Sequence, residues 1–355
     1  GRRGGGRMIR DGLATGIDRC LHERGPRIAW PDTGQDAELG LGIRPHGPRF
    51  VAQGEEAVQD TLTGLSWPVE LSRFGYPMRW GEALDMVQEL NAQGLAGMTD
   101  WRLPNRRELR SLLNHGASRP ALDPDHPFQG LQQTWTWTST TSAMYPAYAW
   151  YVHLAGGRMF WGRKDQFYML WPVRGQSLVL PRTGEVQCRD GRGQAWPCSG
   201  TGQDGELQCG VQWPDPRFAT LPQGVLDRLT NLVWMTGDLV PRAGMTWTRA
   251  LEAVQDLART SGHPWHLPNI NELESLVDAS RHTPALPVEM GVSDVPEVLW
   301  SSTSSGFEPD WAYALYMHKG AVGVGHKPTA EFALWPVMEY VSADSGSADR
   351  SMVEG

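Results

Sequence analysis

"WRLPNRRELRSLL" at residues 101–113 and "WHLPNINELESLV" at residues 265–277 share the skeleton W-x-L-P-N-x-x-E-L-x-S-L. Chance does not readily write that phrase twice in one chain. It marks either a duplicated catalytic element or the frame of a duplicated domain. Asn105 and Glu108 stand three apart just before Leu109, Leu112 and Leu113, and Asn269 and Glu272 do the same before Leu273, Leu276 and Val277. That offset is a capping box with Asn as the N-cap. Pro104 and Pro268 hold the approach extended, and Trp101 and Leu103 can staple onto the helix from outside. Glu108 and Glu272 would look like general bases if read alone. In this setting they read as capping carboxylates, and the phrase recurs because a domain recurs.

The repetition extends well beyond the phrase. "DTLTGLSW" (60–67) is answered by "DRLTNLVW" (227–234), and "RWGEALDMVQEL" (79–90) by "TWTRALEAVQDL" (246–257). "WTSTTS" (137–142) is answered by "WSSTSS" (300–305), and "YAWYVH" (148–153) by "YALYMH" (313–318). "LWPV" closes both halves, and the openings at 32–50 and 200–218 match as well. The period is far too long for a solenoid. Trp80, Ala83, Leu84, Val87 and Leu90 fall at helical spacing, as do Trp247, Ala250, Leu251, Val254 and Leu257. Thr246 is a natural N-cap for the second of these helices. The short aromatic and β-branched runs that follow, punctuated by Gly, read as antiparallel strands. The fold class is therefore α+β: two tandem domains, each with two helices and short antiparallel strands. Their boundaries read as 25–175 and 181–340, with an N-terminal extension at 1–24 and a flexible tail at 341–355. The two halves are expected to superpose as separate units, Trp101 on Trp265 and Trp171 on Trp335, without one continuous sheet.

The chain has 355 residues, a net charge of -8, 17 Trp and 40% hydrophobic residues. An acidic chain gains no counterion release on nucleic acid, so no nucleic-acid partner is expected. No apolar run is long enough to span a membrane. The chain opens on Gly1 with no signal-peptide pattern, which reads as a processed or trimmed product. Its cysteines are Cys20, Cys188, Cys198 and Cys209, without a C-x-x-C pair. An even count in a Gly- and Pro-rich chain suits an oxidising compartment. Cys188–Cys198 is the local disulfide. In the first copy Cys20 stands where Cys188 does and Trp30 where Cys198 does. Cys20 is then free or paired elsewhere, with Cys209 as the candidate.

Three groups of residues could carry chemistry. Asp36 with Glu38, and Asp204 with Glu206, place carboxylates two apart in Gly-rich loops. Such oxygens suit Ca²⁺, although the full EF-hand pattern is missing and a turn held by its own Asp is the plainer reading. No other cofactor is expected. His153 and His318 occupy equivalent strands and read as half-buried strand histidines. The hydroxyls of "WTSTTS" and "WSSTSS" lack a G-x-S-x-G setting and read as partners for buried backbone groups. Trp135, Trp137, Trp150, Trp161 and Trp171 crowd the end of the first copy. Arg163–Lys164 and His326–Lys327 occupy the same turn in both copies and are expected to face solvent. With Trp161 they are the candidate ligand contacts, since aromatic faces stack on sugars and Arg forks grip anions.

The run W-R-L-P-N-x-x-E-L, then W-[TS]-S-T, a W-Y-V-type strand and a closing L-W-P-V resembles the Lcl C-terminal domain family, in two copies. The resemblance implies a C-type-lectin-like fold, related in outline to formylglycine-generating enzymes. It further implies secretion or surface display, and adhesion through sulfated glycans by trimers on a collagen-like stalk. This sequence has no Gly-X-Y stalk. Both "LWPV" closing regions lack the Cys that formylglycine-type chemistry uses, so a non-enzyme is expected. The first reading is a secreted, cell-surface or periplasmic binding or adhesion protein that takes a glycan or another surface protein. The alternative is a structural or accessory subunit of an extracellular assembly, and an enzyme of the formylglycine-generating kind stands third.

Overall fold

A computed structural model describes residues 12–25, 32–237 and 240–341. In the first copy a short helical turn α1 (Asp36–Leu39) precedes strands β1 (Phe50–Gln53), β2 (Ala57–Asp60) and β3 (Ser66–Pro68). Helices α2 (Trp80–Gln93) and α3 (Arg106–Arg110) follow, then β4 (Trp135–Thr141), β5 (Tyr148–His153) and β6 (Arg158–Arg163). The second copy repeats the order: α4 (Asp204–Leu207), β7 (Phe218–Leu221), β8 (Gly224–Asp227), β9 (Leu232–Met235), α5 (Trp247–Ser261) and α6 (Ile270–Ser275). It ends with β10 (Val298–Ser304), β11 (Trp311–Tyr316), β12 (Ala321–His326) and β13 (Val337–Glu339). This is the α+β pattern the periodicities predict, and all strand pairs within the sheets are antiparallel.

The opening phrase is a cap in both copies. Asn105 accepts from the N–H of Arg107 and Glu108, while Glu108 accepts from the N–H of Asn105 at 2.9 Å. Asn269 and Glu272 repeat this around α6. Trp101 and Trp265 are buried core residues. Thr246 does sit at the N-cap of α5 but makes no side-chain cap bond. At the same place in α2, Arg79 stands with Glu82 returning to its backbone N–H. The hydroxyls after each Trp serve the backbone as expected: Thr138 Oγ1 donates to Trp150 O, and Ser301 Oγ to Tyr313 O.

The halves share one sheet, which overturns the expectation of two units without a continuous sheet. One six-stranded sheet runs β10-β11-β12-β6-β5-β4 through both copies, joined at Val322 and Met159. The segments leading into each copy are also exchanged. Asp36, in the lead of the first copy, accepts from Thr303 of the second at 2.8 Å, and Asp204 accepts from Thr140 of the first at 2.7 Å. Asn271 of the second copy donates to Leu13 O, and Asn105 of the first donates to Cys209 O. The boundaries 25–175 and 181–340 therefore divide the sequence but not the space. Residues 12–24 of the N-terminal extension pack into the fold: Leu13 bridges Ile43, and Thr15, Ile17, Cys20 and Leu21 are buried. The tail from residue 342 onward, and Trp30, lie outside the described residues.

Cys188 and Cys198 form the expected disulfide. Cys20 and Cys209 are both free and buried, so the candidate pairing between them is not made.

Candidate functional site

The five predicted contact residues do not converge. Lys164 and Lys327 are only 3% and 0% exposed, so the solvent-facing expectation is corrected for both. Their role comes from the exchange of leading segments. Lys164 Nζ donates to Asp190 O at 3.1 Å and lies 4.0 Å over the Trp80 ring. Lys327 Nζ donates to Ser304 Oγ and Pro309 O, both at 2.8 Å, approaches Leu21 O and His22 O at 3.5 Å, and lies over Trp247. Each lysine thus pins the other copy's lead to its own copy. Burial pushes both ammonium groups down to about 7, against the nearby carboxylates. Arg163 is exposed and paired to Asp165 at 2.5 Å, His326 is half-buried near Asp310, and Trp161 is half-buried against Trp150.

The carboxylate loops do not fit Ca²⁺ either, because their oxygens are held by donors. Asp36 Oδ2 accepts from Thr15 and Thr303, and Asp204 Oδ2 from Thr183 and Thr140. Burial raises both acids to about 6 against those bonds. Glu38 takes the N–H groups of Asp32, Thr33 and Gly34, and Glu206 those of Gly200 and Gly202. Those N–H bonds hold both glutamates below the usual carboxylate range, although burial opposes them. A cation needs open oxygens, and Asp36 Oδ2, Asp204 Oδ2 and both glutamates are already engaged by N–H and O–H groups. Asp60 and Asp227 are taken by Arg49 and Arg217.

What the fold does assemble is an aromatic face. Residues opposite one another on paired strands, and residues two apart on one strand, share a face. Trp135, Trp137, Tyr151 and Phe160 therefore share one face of β4, β5 and β6, with Tyr151 directly opposite Phe160. Tyr168 crosses this face, its ring 4.5 Å from Trp137, 5.1 Å from Tyr151 and 5.6 Å from Trp135. The shared sheet carries the stripe into the second copy, where Phe160 meets Tyr316 at 6.0 Å and Tyr316 meets Phe332 at 6.2 Å. Gly323 makes this crossing possible. A Cβ there would stand 2.6 Å from the Tyr316 ring and 3.1 Å from Phe160, so both rings lie on its bare backbone.

Trp135 is 43% exposed, and Tyr151, Phe160, Tyr168, Tyr316 and Phe332 are half-buried. Polar groups edge the stripe. Tyr168 O–H donates to Gln166 and Tyr316 O–H to Val324 O. Burial and the neighbouring Tyr168 push the Tyr151 phenol up to about 12, so it stays a neutral O–H donor. From β4 to β11 the stripe crosses four interstrand steps of about 4.8 Å, or about 19 Å.

The sequence profile of the Lcl C-terminal domain family matches residues 56–174 and 223–338. The chain belongs to the Lcl C-terminal domain family. No curated protein matches it. In Lcl C-terminal terms, the matched spans begin after each leading segment, so both exchanged leads lie outside the family's own boundaries. The two Lcl C-terminal domains contribute unequally to the stripe. The first supplies Trp135, Tyr151, Phe160 and Tyr168, and the second Tyr316 and Phe332. Sequence reasoning singled out Trp135 and Trp137 but missed the five tyrosine and phenylalanine members, Tyr151, Phe160, Tyr168, Tyr316 and Phe332. Alternation within "YAWYVH" and "RMFWGR" would have put Tyr151 and Phe160 on faces of their strands. Nothing local could have joined them to Tyr316.

Proposed function

We propose that this chain is a non-catalytic, secreted or surface-held binding protein of C-type-lectin-like fold, and that its ligand is an uncharged glycan laid across the aromatic stripe. The observation that carries the reading is the run of partly exposed rings Trp135, Tyr151, Phe160 and Tyr316 on one face of the sheet. Such rings offer apolar faces to sugar C–H groups and O–H donors to sugar hydroxyls. The net charge of -8 disfavours a sulfated or carboxylated chain, and Arg158, the cation beside the stripe, is already paired with Glu308 at 2.7 Å. The Cys188–Cys198 disulfide is consistent with an oxidising compartment outside the cytosol.

The test is retention on immobilised neutral polysaccharides, with sulfated ones beside them. Trp135→Ala and Tyr151→Ala should each weaken retention about tenfold, within the range for loss of a stacking aromatic anchor. Arg163→Ala, on an exposed pair, should leave it unchanged. Equal retention of wild type and the Trp135/Tyr151 double variant, or no retention on any neutral glycan, would sink the reading.

A further inference from the structure

The seam between the copies has a charge imbalance that the aromatic site does not use. Helix α3 of the first copy faces α6 of the second. It brings Arg106, Arg107 and Arg110, all buried, where α6 has Ile270, Asn271 and Glu274. At these three positions α3 delivers guanidiniums and α6 answers with one carboxylate, since Glu108 and Glu272 are already held by Arg102 and His266. Glu274 is engaged by Arg107, whose Nε stands 3.3 and 3.2 Å from its two oxygens. The remaining N–H groups of Arg107 reach the carbonyls of Arg182 and Val277. Arg106 lies 4.0 Å over Trp150, donates through Nη2 to Gly320 O and stands 3.5 Å from Glu274 Oε1, while its Nε and Nη1 have no hydrogen-bond partner among the described residues.

Arg110 is the least satisfied. It is 6% exposed, and among the described residues its Nε has no partner and its Nη2 reaches only His115 Nε2 at 3.4 Å. His115 brings no charge: burial and Arg110 push it down to about 3, and its Nδ1 faces Thr15 O. Tyr313 is held as a neutral phenol donating to Gly156 O. The other nearby acids, Asp204 and Asp278, are bound by Thr140, Thr183 and Ser280. Glu274 is therefore one carboxylate shared among three buried guanidiniums; a buried charge short of its counter-charge costs several kcal/mol, and an unpartnered buried donor asks for an explanation.

Arg110 and Arg107 line a cavity of about 70 Å³ at this seam, with Ser111 and Leu180 on one side and Asn271 and Glu274 on the other. One water occupies about 10–15 Å³ on this measure, so there is room for a small ion but not for a sugar or a phosphate ester. We propose that the seam cavity binds a small monoanion, of halide or formate size, through Arg110 with Arg107 behind it. The anion supplies the counter-charge that the duplication did not, and it ties the two copies together. It lies on the helix-covered side of the shared sheet, opposite the aromatic stripe, and it stands whether or not a glycan is the ligand there.

Bromide is the probe. Crystals of the full chain grown in sodium bromide should show an anomalous peak within about 3.5 Å of the Arg110 guanidinium, a charge-assisted contact to a large anion. In solution, melting in sodium bromide is compared with sodium gluconate at equal ionic strength, gluconate being too large to enter. Each tenfold rise in bromide above its dissociation constant should lift the melting temperature by about 2 °C. Arg110→Gln should remove that increment. Equal melting in the two salts, or an anomalous map with no peak at the seam, overturns the proposal, and the second outcome does not depend on the variant folding.

Discussion

Glu108 and Glu272 hold the same place in the two caps and differ in what else they hold. Glu108 takes both Arg102 nitrogens at 2.6 Å in a pair almost out of water, whereas Glu272 takes His266 at 3.0 and 3.1 Å. Gln can replace either as a cap. It cannot neutralise Arg102, which is always charged, while His266 can lose its proton and accept from the amide. Glu108→Gln should therefore cost about 3 kcal/mol, as for breaking a buried pair. Glu272→Gln should cost about 1 kcal/mol, a single hydrogen bond. Denaturant melts of the two variants decide it, and equal losses would show that the pair adds nothing beyond the cap. The sequence shows both only as capping carboxylates, because the partner at position 102 or 266 is not visible in it as a partner. Asp36 and Asp204 make a second prediction. Both acids are raised from 3.8 to about 6 by burial, so between those values the folded state holds protons that the unfolded chain has lost. Stability must then fall as pH rises from about 4 to about 6. Asn at both positions keeps an oxygen for the threonine hydroxyls and cannot ionise. The Asp36→Asn/Asp204→Asn variant should gain on wild type at pH 7 and lose that advantage at pH 4, and a pH-independent difference would contradict the burial argument.

At the scale of elements, the leading segments are the parts the sequence described least well. Within them the Cys188–Cys198 disulfide was legible, because it depends on residues near in sequence. The strands and helices were legible for the same reason, through period and cap. The environment of Lys164 and Lys327 was not, since the carbonyls that hold each lysine belong partly to a segment well over a hundred residues away or across the exchange. The aromatic stripe was half legible: its tryptophans stood out by rarity, but its continuity depends on one long-range strand pairing. Lys164→Met tests the clamp. Methionine keeps contact with the Trp80 ring and loses the bonds to Arg189 O and Asp190 O. Limited proteolysis should then cut first within residues 180–211, while the six-stranded sheet stays protected. Cleavage at the wild-type rate would show that the disulfide and Asp204 hold this lead without the lysine. The disulfide has its own check: the unfolded, unreduced chain should show two reactive thiols, Cys20 and Cys209, and four after reduction.

The whole molecule behaves in this arrangement as one folding unit written twice. Two domains joined by a linker would expose a moderate interface and unfold one after the other. Here the sheet is continuous, each lead is seated on the other copy, and Arg107 with Glu274 and Arg158 with Glu308 bridge the seam. Neither copy can open without uncovering Thr140 or Thr303 and the acid that each one binds. The connection between the copies passes through Leu178, which is 67% exposed and outside every strand and helix. Cutting the chain there, through an introduced protease site, removes a covalent link but none of the contacts just named. The nicked protein should elute as a single species of unchanged size and should melt in a single transition whose calorimetric and van't Hoff enthalpies agree. The melting temperature should fall with dilution, because unfolding has become dissociation. Two fragments that separate under native conditions, or two resolved transitions in the intact chain, would mean that the copies are independent and that the exchange of leads does not bind them.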